Sequence, residues 1–92
     1  MYKIIFSETA NGDLWEISSY ISKDSPLYAN KVVDKIILTI SNLSIFPFLW
    51  KSDSDDNLRE IIEPRYGFRI IYQITWKVIY ILAIFKYKDG WK

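Results

Sequence analysis

From Leu58 to Tyr87 the chain reads LREIIEPRYGFRIIYQITWKVIYILAIFKY. Three β-branched and aromatic runs follow one another so closely here that an antiparallel meander is the arrangement that accommodates them. The runs are Leu58–Glu63, residues 67–74 and Val78–Lys86, with Pro64-Arg65-Tyr66-Gly67 at the first junction and the polar break Thr75-Trp76-Lys77 at the second. In the middle run, alternation places Phe68, Ile70, Tyr72 and Ile74 on one face and Arg69, Ile71 and Gln73 on the other. Arg69 is the odd residue. A cation between apolar neighbours must reach water, a carboxylate or an anionic ligand, because an unpaired buried charge is costly. The last run is apolar at nearly every position, which predicts an inner strand with both faces covered.

The remainder of the chain has to supply the layer that packs on this sheet. Residues 2–6 (YKIIF) read as a first strand. Ser7 offers an N-cap oxygen, Glu8 puts negative charge on a first helical turn, and Ala10, Leu14, Ile17 and Ile21 recur at helical spacing, which predicts a helix over residues 8–22. Asn11-Gly12 in isolation signals a hairpin turn, but the residues after it do not alternate. Ser25-Pro26 restarts a helix, with Ser25 as cap and Pro26 in the first turn. From there Ala29, Val32, Val33, Ile36, Ile37, Ile40 and Leu43 form an apolar face that Phe46-Pro47 ends. Residues 48–57 form a loop carrying Asp53, Asp55 and Asp56. It lacks the glycine and the closing glutamate of a calcium loop and reads as a solvated acidic segment.

With 92 residues, half of them apolar, the chain is long enough for a single domain spanning 1–92 with one core. The expected class is α+β: an N-terminal strand, an antiparallel helix hairpin and a three-stranded antiparallel meander, the helices on one face of the sheet. The absence of cysteine and histidine excludes disulfides, a conventional zinc site and histidine acid–base chemistry, so no metal and no cofactor is expected. No apolar run approaches the roughly 20 residues of a membrane span, and no signal-peptide pattern opens the chain, which reads as cytoplasmic. The net charge of +1 conceals a division: residues 1–57 carry five basic and eight acidic groups, residues 58–92 seven and three. The sheet and tail are thus the basic half, suited to an anionic partner without the basic stripe of a dedicated nucleic-acid binder.

Taken together these residues resemble the RelE/ParE superfamily of toxins from bacterial type II toxin–antitoxin modules. The resemblance is carried by Ala10, Asp13-Leu14, Ile17 and Tyr20-Ile21 in the first helix and by Leu43 with Phe46-Pro47 at the end of the second. It continues in Leu58-Arg59-Glu60, in Phe68-Arg69-Ile70-Ile71-Tyr72 and in the final apolar strand with its basic end. The Phe-Pro pair followed by Leu-Arg-Glu is closer to the ParE branch. The resemblance implies a growth-inhibiting, plasmid stabilisation-like toxin neutralised by a cognate antitoxin in a toxin–antitoxin hetero-oligomer. ParE-like members poison DNA gyrase, and RelE-like members cut messenger RNA in the ribosomal A site. Arg69 and Arg59 stand at the family's two arginine positions, whereas Phe85 falls at about the position of a histidine that ends the last strand in many members.

Metal-independent cleavage of RNA needs a base for the 2′-hydroxyl, a cation for the phosphate and an acid for the leaving oxygen. If the chain is an endoribonuclease, Arg69 is the phosphate clamp, Glu60 or Glu63 the base, and Tyr87 or a lysine the acid. An unperturbed tyrosine or lysine near pKa 10 suits that role poorly at neutral pH. Without catalysis, Arg59, Arg69, Lys86 and Lys88 remain as anion- or target-binding residues. The alternative for Arg69 is a salt bridge to Glu60 on the adjacent strand. The favoured expectation is a ParE-like toxin acting on gyrase; the others are a RelE-like ribosome-dependent nuclease and a small non-toxic binding domain.

Overall fold

The computed structural model describes residues 2–45 and 58–86. Phe46-Pro47, the acidic segment and the tail from Tyr87, Lys88 included, lie outside the described residues. The element order is β1 (Lys3–Phe6), α1 (Glu8–Ser22), α2 (Pro26–Asn42), β2 (Leu58–Glu63), β3 (Phe68–Thr75) and β4 (Val78–Lys86). The expected α+β architecture is present. Ser7 caps α1 by accepting the Ala10 N–H at 3.0 Å, and Ser25 caps α2 by accepting the Tyr28 N–H at 3.1 Å. Asn11 and Gly12 lie inside α1, where the capped, helically spaced sequence overrides the local turn signal. Among the described residues no helix is long and apolar enough to cross a membrane.

The four strands form one sheet in the order β1-β4-β3-β2, with β2-β3 and β3-β4 antiparallel and β1 parallel to β4. Both helices pack on one face. Ala10, Val32, Ile36, Ile40 and Leu43 meet Ile61, Phe68, Ile70, Tyr72, Ile79, Ile81 and Ile84 there, each at most 4% exposed. Gly67, with φ of 79°, takes the left-handed position that closes the β2–β3 turn.

β4 is an inner strand as expected, but the cover over both faces is not what explains its apolar run. Ile71 pairs with Ala83 while Tyr72 pairs with Ile81, so Leu82 is an extra residue in the ladder. This bulge flips the alternation. Ile79 and Ile81 face the core before it and Ile84 faces the core after it, which is why apolar residues occupy positions of both parities. On the opposite face Val78, Tyr80 and Phe85 stay partly exposed beside cross-strand neighbours such as Ile5 and Arg69.

Past Ile81 the strand β1 has ended, and the first turns of α1 take over its pairing. Ser7 N–H donates to the Ile81 carbonyl at 2.9 Å, Ser7 Oγ donates to the Leu82 carbonyl at 3.1 Å, and the Ile84 N–H donates to Asp13 Oδ2 at 2.9 Å. Backbone groups that the bulge and the strand end would leave without a ladder partner are thereby satisfied from the helix.

Candidate functional site

The sheet face away from the helices presents Arg69 near its centre, because β3 lies between β4 and β2. Glu60 stands diagonally across the β2–β3 ladder, where Ile62 is the residue directly opposite Arg69 and Ile71 the one opposite Glu60. The guanidinium meets the carboxylate in a two-point pair: Nη2 donates to Oε1 at 2.8 Å and Nε donates to Oε2. The side chains keep 32% and 14% of their surface, respectively. Arg69 also lies over the ring of Phe85, its cross-strand partner, at 5.9 Å from the centroid. A carboxylate is thus among the partners this cation meets, and about a third of its side chain stays exposed.

The pairing bears on what the face can do chemically. Each Glu60 oxygen accepts one hydrogen bond from Arg69, which fixes the carboxylate against the cation and leaves a second lone pair on each oxygen. Glu63, the other acid in this strand, is fully buried. Its Oε2 accepts the Arg65 N–H at 2.7 Å and its Oε1 the Tyr66 N–H at 2.9 Å, so this carboxylate holds the β2–β3 turn together. Tyr72 is buried on the helix side, and burial pushes its hydroxyl above the ordinary tyrosine value, partly offset by the charge of Arg59. It stays a neutral phenol at physiological pH.

The remaining basic candidates do not converge on Arg69. Arg59 lies directly opposite Tyr72 and so belongs to the helix-side face. Lys86 lies opposite Phe68 on that same face, its Nζ 4.9 Å from the Phe68 ring centroid. At about 3.3 Å per residue, the Phe68 and Tyr72 levels of β3 are roughly 13 Å apart, so Arg59 and Lys86 stand at different levels of the sheet. Tyr87 and Lys88 lie outside the described residues. Among the described residues no three acidic, histidine or cysteine groups are placed to hold a metal ion.

Two features escaped the sequence reading. A groove of about 790 Å³ runs between α1 and the Phe68–Lys86 end of the sheet, lined by Trp15, Ile17, Tyr20, Lys23, Phe68 and Lys86 among others. Trp15 and Tyr20 are both 74% exposed there. Their spacing from the core residues Leu14, Ile17 and Ile21 was the available signal, since it places them off the buried stripe. The second feature is Trp76, between β3 and β4.

A family model described as the ParE toxin of the type II toxin–antitoxin system parDE matches residues 4–91. Among solved structures, the chromosomal ParDE system from P. aeruginosa superposes with a TM-score of 0.81 at 23% identity, covering 96% of this chain and 98% of that one. The intact E. coli RelBE toxin–antitoxin complex gives 0.72 at 18% identity, covering 97% and 100%. The RelBE2 toxin–antitoxin complex from Mycobacterium tuberculosis gives 0.61 at 22%, covering 94% and 98%. At these identities the likeness is one of fold. No curated protein is significantly similar to the chain in sequence.

Proposed function

The chain belongs to the ParE toxin family of type II toxin–antitoxin systems, and we propose that it arrests growth by binding DNA gyrase, without chemistry of its own. The observation that carries this reading is the Arg69–Glu60 pair. The residue best suited to clamp a scissile phosphate is engaged by the residue best suited to be the base, on a chain with no histidine. A toxin that acts by occupying a protein surface needs neither group free.

In this reading a cognate antitoxin neutralises the toxin by laying an amphipathic segment in the groove beside α1. Trp15 and Tyr20 supply apolar contact, and Lys23 and Lys86 at the rim suit acidic side chains on the segment. Arg59, Arg69 and Lys86 then serve target or antitoxin binding separately and not as one anion site.

The test is the supercoiling activity of gyrase in the presence of the purified chain, beside a reaction offering it ribosome-bound messenger RNA. Loss of supercoiling with intact RNA supports the proposal. Cleavage within the A-site codon that disappears in Arg69→Ala supports the ribosome-dependent nuclease instead.

A further inference from the structure

The two-residue connection between β3 and β4 carries Trp76, whose surface is 87% exposed. Its φ is 47°, and among the described residues it alone takes a positive φ without being glycine. That region crowds a Cβ against the backbone, and an indole gains no local hydrogen bond there as asparagine would. The residue costs the fold in strain and leaves a large apolar ring in water. Outliers of this kind gather at functional sites.

Two lysines stand near the indole along the backbone. Lys77 follows it, and Lys3 lies alongside, since the Lys3 N–H donates to the Lys77 carbonyl at 3.0 Å and Lys3 is in register with Val78. Both lysines are exposed, and neither Lys3–Phe6 nor residues 75–78 contain an acid. Among the described residues, the exposed indole at this hairpin tip thus has a lysine next to it in the chain and a second on the neighbouring strand.

We propose that Trp76 is the anchor by which the chain docks on its target, its indole entering an apolar slot edged by carboxylates that meet Lys3 and Lys77. A protein fits this chemistry best. Two lysines neutralise too few phosphates to hold nucleic acid at physiological salt, while a protruding tryptophan with a polar surround is the typical centre of a protein interface. The identity of that protein as gyrase rests on the function proposed above. The groove proposed for the antitoxin lies at the other end of β3, about 26 Å from Trp76 at 3.3 Å per residue, so the two surfaces are separable.

The experiment compares the full chain with Trp76→Gly and with the Lys3→Glu/Lys77→Glu double variant. It reads melting temperature, affinity for gyrase, affinity for vesicles of phosphatidylserine and phosphatidylcholine, and growth arrest on expression. Glycine relieves the backbone strain, so Trp76→Gly is expected to melt at the same temperature or higher, to bind gyrase at least roughly tenfold more weakly and to lose growth arrest. Charge reversal is expected to weaken gyrase binding as well. A Trp76→Gly chain that binds and arrests growth like the parent overturns the proposal, as does one that melts markedly lower. Vesicle binding that depends on Trp76, with gyrase binding unchanged, overturns it in favour of a membrane surface. If the parent arrests growth without binding gyrase, the gyrase reading falls and the anchor is judged on growth arrest alone: loss in Trp76→Gly upholds it, retention overturns it. A parent that does neither overturns both.

Discussion

Arg69 reaches diagonally across the β2–β3 ladder and closes on Glu60, with Nη2 2.8 Å from Oε1. Because the Glu60 side chain is only 14% exposed, the pair is not an ordinary surface ion pair. Removing the guanidinium alone leaves a poorly hydrated carboxylate, and Arg69→Ala is expected to cost about 1–3 kcal/mol. Replacing both residues with leucine is expected to cost less than the single change. Urea unfolding of Arg69→Leu, Glu60→Leu and the double variant measures the coupling; strictly additive effects would contradict a mutually dependent pair.

Asp13 supports β4 at its bulge through the 2.9 Å bond from the Ile84 N–H. Asp13→Ala strands that amide and is expected to destabilise by about 1–3 kcal/mol, whereas Asp13→Asn keeps an acceptor oxygen and loses less. Hydrogen exchange at the Ile84 amide is the site-specific readout. It should accelerate in Asp13→Ala well beyond the other amides of β4.

Glu63 is buried and spends one oxygen on each of two turn amides, those of Arg65 and Tyr66. A glutamine at this position can accept at only one of its two terminal atoms and would set an NH₂ against an N–H. Glu63→Gln is therefore expected to lower stability by about 1–3 kcal/mol despite its near-identical shape. Thermal unfolding at neutral pH checks this.

Tyr72 imposes a pH dependence. Burial raises its hydroxyl above the ordinary value of 10.0, with Arg59 partly offsetting the shift. The folded chain keeps a proton that the unfolded chain releases, so this contribution is complete below about pH 10 and is lost as pH rises through the folded value. The melting temperature should decline across that range. Tyr72→Phe should remove part of the decline without changing its sign.

Much of this architecture was legible in the residues. Ser7 and Ser25 announced both helix starts, and the bounds of α1, β2 and β4 coincide with the apolar spacing and the turn residues. The Arg69–Glu60 pair was legible as one of two options, because residue type and strand order put a carboxylate within reach. The bulge was not. A run such as VIYILAIFK contains no charged residue before its final lysine to mark a change of face, so alternation alone could not tell a flipped strand from one covered on both sides. The role of Asp13 was hidden for the same reason, since its partner is a backbone amide whose need arises only where β1 stops short of the end of β4. Trp76 read as part of a polar break, and its strain became visible only with the backbone angle.

A supercoiling assay tests most directly the proposal that the chain acts by occupying gyrase and not by cutting RNA. Purified chain titrated into gyrase with relaxed plasmid is expected to abolish supercoiling, with ribosome-bound messenger RNA intact at the same concentration. Gyrase that supercoils normally beside a toxin that still arrests growth, with A-site cleavage that requires Arg69, would contradict it.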